Sequence, residues 1–185
     1  ICALLVSIVI SIVTGMILAI LAVTLGPDNV RENYGWLIVA LPLALLALCP
    51  PILNRLVSFA LRVLGRDPLE ATMTWRKTLR AALWAIVAWC VAGLQLWLML
   101  GQLGMPATVP SFLLATGGYA LGWTAGFLVF FVPAGAGVRE VALGAVLSTV
   151  APAGVVVVVV LLARIFTTVA DIGWGVAASL AMRRG

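Results

Sequence analysis

Long apolar blocks separated by short polar segments run along most of this chain. The blocks cover residues 1–25, 36–53, 81–100, 111–132 and 153–182. About 20 helical residues, each adding about 1.5 Å, are enough to cross the hydrocarbon core of a bilayer. The pattern therefore predicts an all-α, polytopic membrane protein, with residues 1–185 forming a single transmembrane domain.

Residues 133–151 break this pattern, because the sequence PAGAGVRE precedes only a short apolar run. The fourth block is predicted to run from the outer to the inner side. Arg183 and Arg184 at the end of the chain are predicted to be cytoplasmic. An even number of crossings must then follow residue 132, and the last block supplies only one. We therefore expect 133–151 to be a short, broken or re-entrant element, giving about six membrane elements.

Composition supports the membrane class and limits the chemistry. Hydrophobic residues make up 64% of the chain and charged residues only 9%, well outside the range of soluble proteins. Histidine is absent, which excludes His-based acid–base catalysis and most zinc sites. Cys2, Cys49 and Cys90 lie far apart in apolar segments, where cysteine commonly acts as a small hydrophobe. No cofactor or metal is therefore expected.

Basic residues concentrate in the connector 54–80. It holds six of the eleven bases: Arg55, Arg62, Arg66, Arg76, Lys77 and Arg80. Their alternation with apolar positions is typical of a helix lying in the headgroup region and contacting anionic lipid. The alternative is an ordinary loop that only sets topology. In both cases the positive-inside rule predicts a cytoplasmic connector, and bases beside membrane spans indicate lipid rather than nucleic acid as the partner.

The fourth block carries glycines at every fourth position, Gly118, Gly122 and Gly126. This GxxxG spacing predicts a smooth helix face against which another backbone can pack closely. A glycine-lined path for a substrate is the alternative interpretation.

Four ionisable residues remain within the apolar second half of the chain: Arg139, Glu140, Arg164 and Asp171. A charge at the centre of a bilayer costs at least about 2.5–3.5 kcal/mol, so such residues are expected to pair. Neighbours in sequence point about 100° apart on a helix and cannot pair well. We therefore predict that Glu140 pairs with Arg164 and that Arg139 pairs with Asp171.

Two glycines precede these charges and add a possible anion site. Gly135 and Gly137 permit a sharp turn, and the helix expected from about residue 138 would direct its positive end at the same place. Broken helices of this kind bind substrates in transporters. Alternatively, the two ion pairs are purely structural, or Arg139 and Glu140 lie in the cytoplasm.

These motifs resemble the lysylphosphatidylglycerol synthase transmembrane-region family, also called flippase-like. That family carries a P-x-G-x-G-x-R-E motif followed by a final helix with arginine and aspartate seven positions apart. The matching residues here are Pro133, Gly135, Gly137, Arg139, Glu140, Arg164 and Asp171. The basic stretch 49–66 is similar to the family's connector. Because family members are usually longer, this sequence is expected to be the C-terminal part of a longer chain.

The resemblance implies movement of a lipid across the bacterial plasma membrane. The lipid would be an anionic or aminoacylated phospholipid, or a polyprenyl-linked precursor. Arg139 and Arg164 would exchange their carboxylate partners for the lipid phosphate, while Glu140 and Asp171 would keep the empty site neutral. Synthase activity is not carried over, because nothing in these 185 residues resembles the family's soluble transferase domain.

Two other functions remain open. The first is a membrane-embedded transferase or hydrolase with Glu140 or Asp171 as general base. The second is a non-catalytic subunit or scaffold for a lipid- or glycan-modifying enzyme. Such a subunit would bind a second copy or a membrane partner through the glycine face.

Overall fold

Helices joined by short turns make up the fold. The computed structural model describes residues 2–26, 28–63, 65, 73–128, 135 and 137–182, and no strand occurs among them. In chain order the helices are α1 (Cys2–Leu25), α2 (Asp28–Tyr34), a 3-10 segment (Gly35–Ala40), α3 (Leu41–Ala47), α4 (Pro50–Val63), α5 (Trp75–Gln102), α6 (Val109–Leu128), α7 (Val138–Leu147) and α8 (Ala153–Met182). The predicted all-α class is confirmed.

Four of the described segments are long and apolar enough to cross a membrane. They are Leu5–Leu25, Asp28–Ala47, Trp75–Gln102 and Ala153–Met182. The described part of the chain is therefore compatible with multi-pass membrane insertion. The four spans are fewer than the six membrane elements expected from the sequence.

Helix α6 forms the centre of the fold and packs against α1, α5 and α7. Small residues make this central position possible, because they let three neighbouring helices approach at once. A Cβ added to Gly117 would lie 2.9 Å from the carbonyl oxygen of Leu18 on α1. On the α5 side, Gly93 lies directly against Thr116.

The second span differs from its predicted bounds of 36–53. Residues expected to form a polar turn are helical in α2, and the chain bends at Leu48 and Cys49. Pro42 lies in the first turn of α3, where its missing N–H costs no hydrogen bond. Pro50 likewise begins α4. The prolines therefore lie at the starts of helices, and the second apolar block is divided between α3 and α4.

Helix α4 occupies the first part of the connector. Its Leu53, Val57 and Leu61 are fully buried and pack near α1 and α5. The Asn54 side chain accepts a hydrogen bond from the Met73 amide (2.9 Å) and donates to its carbonyl (3.2 Å). This double contact fixes α4 against the start of α5. The last bases of the connector belong to α5, which begins at Trp75, earlier than the predicted 81.

Helix α8 is packed only along its first half. Val156, Val159, Val160 and Ala163 are buried against a cluster that includes residues of α5, α6 and α7. From residue 168 to residue 182 every side chain is exposed. Since α8 has 30 residues, it is about 45 Å long, and its second half extends beyond the packed bundle.

Three turns meet at one end of the bundle. Val30 after the first turn belongs to the same apolar cluster as Met105 from the α5–α6 turn and Val150 from the α7–α8 turn. The Asn29 side chain donates to the carbonyl of Thr149 at 3.5 Å. The start of α5, fixed to α4, lies at the opposite end.

Candidate functional site

The glycine face of α6 receives α7. A Cβ added to Gly122 would lie 2.9 Å from the carbonyl oxygen of Arg139, and one at Gly118 would lie 3.2 Å from Val146. The Arg139 side chain lies directly against Gly126. The three glycines therefore hold α7 and its charged first turn close to the α6 backbone, and their face is covered within this chain.

Gly135 approaches α6 just before α7 begins. Its φ of +61° is a left-handed conformation that favours glycine. A Cβ at this position would lie 2.6 Å from the carbonyl oxygen of Gly126. Pro133, the other conspicuous residue of the motif, lies outside the described residues.

Glu140 closes the N-terminus of α7. Its Oε2 accepts a hydrogen bond from the backbone N–H of Gly137 at 2.6 Å, which is the glutamate half of a capping box. Gly137 has a φ of +86° and no side chain with which to complete the box. The carboxylate thus places negative charge at the positive end of the helix.

The other oxygen of Glu140 contacts α8. Glu140 Oε1 lies 3.4 Å from Arg164 Nε, so the predicted Glu140–Arg164 pair is formed. This separation exceeds the 2.7–2.9 Å typical of a charge-assisted hydrogen bond. The contact to Gly137 is the shorter of the two, and Arg164 is therefore the more loosely held partner.

The predicted pair between Arg139 and Asp171 is not formed, and no carboxylate of the described residues lies within ion-pair distance of Arg139. Its guanidinium carbon lies 5.1 Å from the ring centroid of Trp123, within cation–π range. Asp171 lies on the exposed half of α8, about 10 Å along the axis beyond Arg164. Because α7 is seated in the glycine groove, Arg139 is directed onto α6 and away from Asp171.

An open cleft with a cavity volume of about 40 Å³ lies between α6, α7 and α8. The residues that line it are Tyr119, Gly122, Trp123, Arg139, Glu140, Leu143, Val160, Ala163, Arg164 and Thr167. Two guanidinium groups and one carboxylate give the lining a formal charge of +1. Arg139 Nε is buried and has no hydrogen-bond partner among the described residues. Its net positive charge allows the cleft to attract an anion.

Aromatic side chains of α6 form one wall of this cleft. They were not among the site residues predicted from the sequence. Trp123 stacks on Phe127 with centroids 4.7 Å apart and meets Trp89 of α5 edge-on at 5.5 Å. Tyr119 contacts Trp89 edge-on at 6.3 Å. One signal was available in the sequence, because Tyr119 and Trp123 each follow a glycine of the GxxxG series. They therefore lie on the adjacent face of the same helix.

The cleft contains three of the four predicted charged residues, together with aromatic residues of α6 that were not predicted. Arg139, Glu140 and Arg164 come together, whereas Asp171 does not join them. Comparison with known proteins adds no family to this geometry, since no protein-family model, curated protein or solved structure matches the chain. The case for a function of the cleft therefore rests on the chemistry of its own residues.

Proposed function

We propose that this protein is a flippase-like lipid translocase that moves an anionic or aminoacylated phospholipid, or a polyprenyl-linked lipid, across the membrane. One observation carries this proposal: a cleft at the α6–α7–α8 junction has a formal charge of +1, and no carboxylate of the described residues pairs with its Arg139. Charged residues within membrane-spanning segments commonly mark the paths of substrates. A lipid phosphate supplies the negative charge that this cleft lacks.

Binding would start at Arg139. Its guanidinium is oriented by Trp123, and it has no carboxylate to release, in contrast to the exchange expected from the sequence. Arg164 would then leave Glu140, to which it is only loosely joined. A planar guanidinium can contact two phosphate oxygens at once, which favours arginine over lysine in this role.

The α7 N-terminus is expected to attract the lipid phosphate less strongly than the sequence indicated. Glu140 already accepts from the Gly137 N–H at that end. A phosphate placed there would meet a carboxylate, so the two arginines are the main attraction. The carboxylate remains available to the amine of an aminoacylated headgroup.

The position of Arg164 suits passage of a headgroup. It lies eleven residues into α8, about 16 Å from the start of the helix, which is roughly half of the hydrocarbon thickness. In the proposed mechanism the headgroup crosses this depth within the cleft while the acyl chains stay among neighbouring lipids. The desolvation cost of the headgroup would be offset by Arg139 and Arg164.

The proposal includes a membrane arrangement. Helix α6 and the short α7 would join the four apolar segments as the fifth and sixth membrane elements. The membrane would be the bacterial plasma membrane, with the 54–80 connector and the C-terminus in the cytoplasm and anionic headgroups bound at the connector. Family membership is part of the same proposal.

A scaffold is the second candidate function, and a specific observation favours it. The exposed half of α8 presents apolar side chains on all sides, including Trp174 at 77% exposure and Met182 at 78%. Asp171 lies within this segment. Such a surface would suit a second copy or a membrane partner protein, although the glycine face predicted for this purpose is already covered by α7.

Lipid movement in proteoliposomes would test the proposal. Wild-type protein is expected to move fluorescent phosphatidylglycerol across the bilayer, and Arg139→Gln and Arg164→Gln are expected to slow this movement at least tenfold. Asp171→Asn is the matched control, because it removes a membrane charge that lies outside the cleft.

Each outcome separates the two candidate functions. Loss of movement only in the cleft variants supports translocation. Equal loss in Asp171→Asn would contradict the role of the cleft. No movement by the wild type, together with co-purification of a partner that Asp171→Asn releases, would favour the scaffold.

A further inference from the structure

A second recess shares Trp123 with the charged cleft. This groove has a cavity volume of about 200 Å³ and is lined by Ser11, Ala85, Ala88, Trp89, Ala92 and Trp123. Its lining contains no charged residue. Trp123 therefore forms a wall shared by a charged cleft and an uncharged groove.

Alanine residues make this groove a recess in an otherwise bulky surface. Ala85, Ala88 and Ala92 follow the spacing of a single helix face. Elsewhere α5 presents large exposed side chains, such as Leu83 at 63% and Val91 at 63%. The groove is therefore a concavity in the outer surface of α5.

The floor of the groove is fixed by Trp89. The indole N–H of Trp89 donates to the carbonyl of Ser11 at 3.2 Å, and a Cβ added to Gly15 would lie 3.1 Å from the Trp89 ring. The ring is 7% exposed. These contacts tie α1 to α5 beneath the recess, so the groove is a preformed feature of the fold.

We propose that this groove holds one acyl chain of the lipid whose headgroup occupies the charged cleft. This inference rests on the proposed function. A phospholipid joins a phosphate and an apolar chain in one molecule, and the two recesses offer the matching surfaces beside one tryptophan. The Trp123 ring, with Arg139 on it, would lie where the headgroup meets the chain.

The groove acts by positioning the lipid. A chain leaving the bilayer for the groove exchanges one apolar environment for another, so little binding free energy is gained. What changes is the place of the chain, which keeps the attached phosphate beside Arg139 and Arg164. A test must therefore measure where the chain lies, since overall affinity would change little.

Photo-crosslinking measures that position directly. The protein would be reconstituted in phosphatidylcholine nanodiscs containing a trace of phosphatidylglycerol with a diazirine midway along one acyl chain. After illumination, mass spectrometry would locate the adducts. We expect labelling at Ala85, Ala88 and Ala92 to exceed labelling at Val87 and Val91 several-fold.

Three variants sharpen this experiment. Ala88→Trp fills the groove and is expected to remove the preferred labelling. Val87→Trp adds the same side chain about 100° away on the helix and is expected to leave the labelling unchanged. Arg139→Gln is expected to reduce groove labelling by the phosphatidylglycerol probe, because the headgroup loses its anchor.

The results of this experiment distinguish the acyl-chain site from the proposed lipid translocation. Equal labelling of all exposed α5 positions would overturn the acyl-chain site, even if the protein moves lipid. Preferred groove labelling that responds to Arg139→Gln, without lipid movement, would support the site and reject translocation. Groove labelling that is unchanged in Arg139→Gln would show that the two recesses do not hold the same lipid molecule.

Discussion

Glu140 shows how one side chain links helix structure to the chemistry of the cleft. One carboxylate oxygen accepts from the Gly137 N–H, and the other contacts Arg164. The first contact fixes where α7 begins, and the second limits how strongly Arg164 can attract an anion. A substitution that keeps one contact and removes the other can therefore separate the two roles.

Glu140→Gln and Glu140→Ala form such a pair. Glutamine can still accept from Gly137, so Glu140→Gln should retain near-wild-type thermal stability in detergent while binding phosphatidylglycerol more tightly. Glu140→Ala loses both contacts and should lower the free energy of unfolding by about 1–2 kcal/mol. Equal destabilisation of both variants would show that the charge on Glu140, and not the cap, holds α7 in place.

At the scale of elements, the α6–α7 contact determines the site. Gly118, Gly122 and Gly126 leave space for the first turns of α7. That contact places Arg139 against Trp123, and it separates Arg139 from the aspartate expected to pair with it. The geometry of helix packing thus overrides the pairing expected from charge alone.

Gly122→Ala tests this contact. The new methyl group would lie 2.9 Å from a backbone oxygen of α7, and overpacking of this kind costs typically about 1–3 kcal/mol. Gly175→Ala is the matched control, because nothing lies within 4 Å of that position and alanine is the better helix former. Thermal unfolding in detergent should show a lower midpoint only for Gly122→Ala. An unchanged midpoint in both would mean that α7 does not need the glycine face.

The connector was interpreted either as an interfacial helix or as an ordinary loop, and helix α4 bears on this choice because it has three distinct faces. One face is buried in the bundle, a second carries Arg55, Ser58 and Arg62, and a third exposes Leu56, Phe59 and Val63. An exposed apolar face beside an arginine-bearing face is typical of a helix lying in the interface of a bilayer. This arrangement favours the interfacial interpretation over the plain loop.

Spin labels at Phe59 and Ser58 would measure the depth of α4. In liposomes a label at Phe59 should collide more often with oxygen than with a water-soluble nickel complex, because oxygen concentrates in the acyl region. A label at Ser58, on the arginine-bearing face, should show the opposite ratio. Preferential collision with nickel at both positions would identify a cytoplasmic loop and exclude the interfacial helix.

At the scale of the whole molecule, the two ends of the bundle differ in character. The turns after α1, α5 and α7 meet at one end, and the base-rich α4 and start of α5 lie at the other. The positive-inside rule predicts that the second end faces the cytoplasm. In this arrangement α5 crosses the membrane between the two ends.

Single cysteines at Ser58, Thr108 and Met182 would test this arrangement. In spheroplasts a membrane-impermeant maleimide should label Thr108→Cys, whereas Ser58→Cys and Met182→Cys should react only after the membrane is permeabilised. Labelling of Met182→Cys and Thr108→Cys from the same side would give an even number of crossings between them. That result would contradict the placement of α7 as a second membrane element before α8.

Periodicity and composition determined the class of this protein. Uninterrupted apolar blocks such as 1–25 are typical of helices long enough to cross a membrane, so the helical class and most of the candidate spans followed from local sequence. The pairing of Glu140 with Arg164 also followed, because opposite charges in an apolar setting have few partners. Helix boundaries were less accurate, since a proline such as Pro50 either ends one helix or begins the next.

Only the tertiary structure decided which groups share the cleft. Arg139 meets Trp123, and not Asp171, because the glycine face of α6 fixes the rotation of α7. The sequence contains both the glycines and the charges, but it does not specify how one helix is turned against another. The uncharged groove beside Trp123 arises in the same way, from alanines of α5 that form a recess only when α1 and α6 pack beside them.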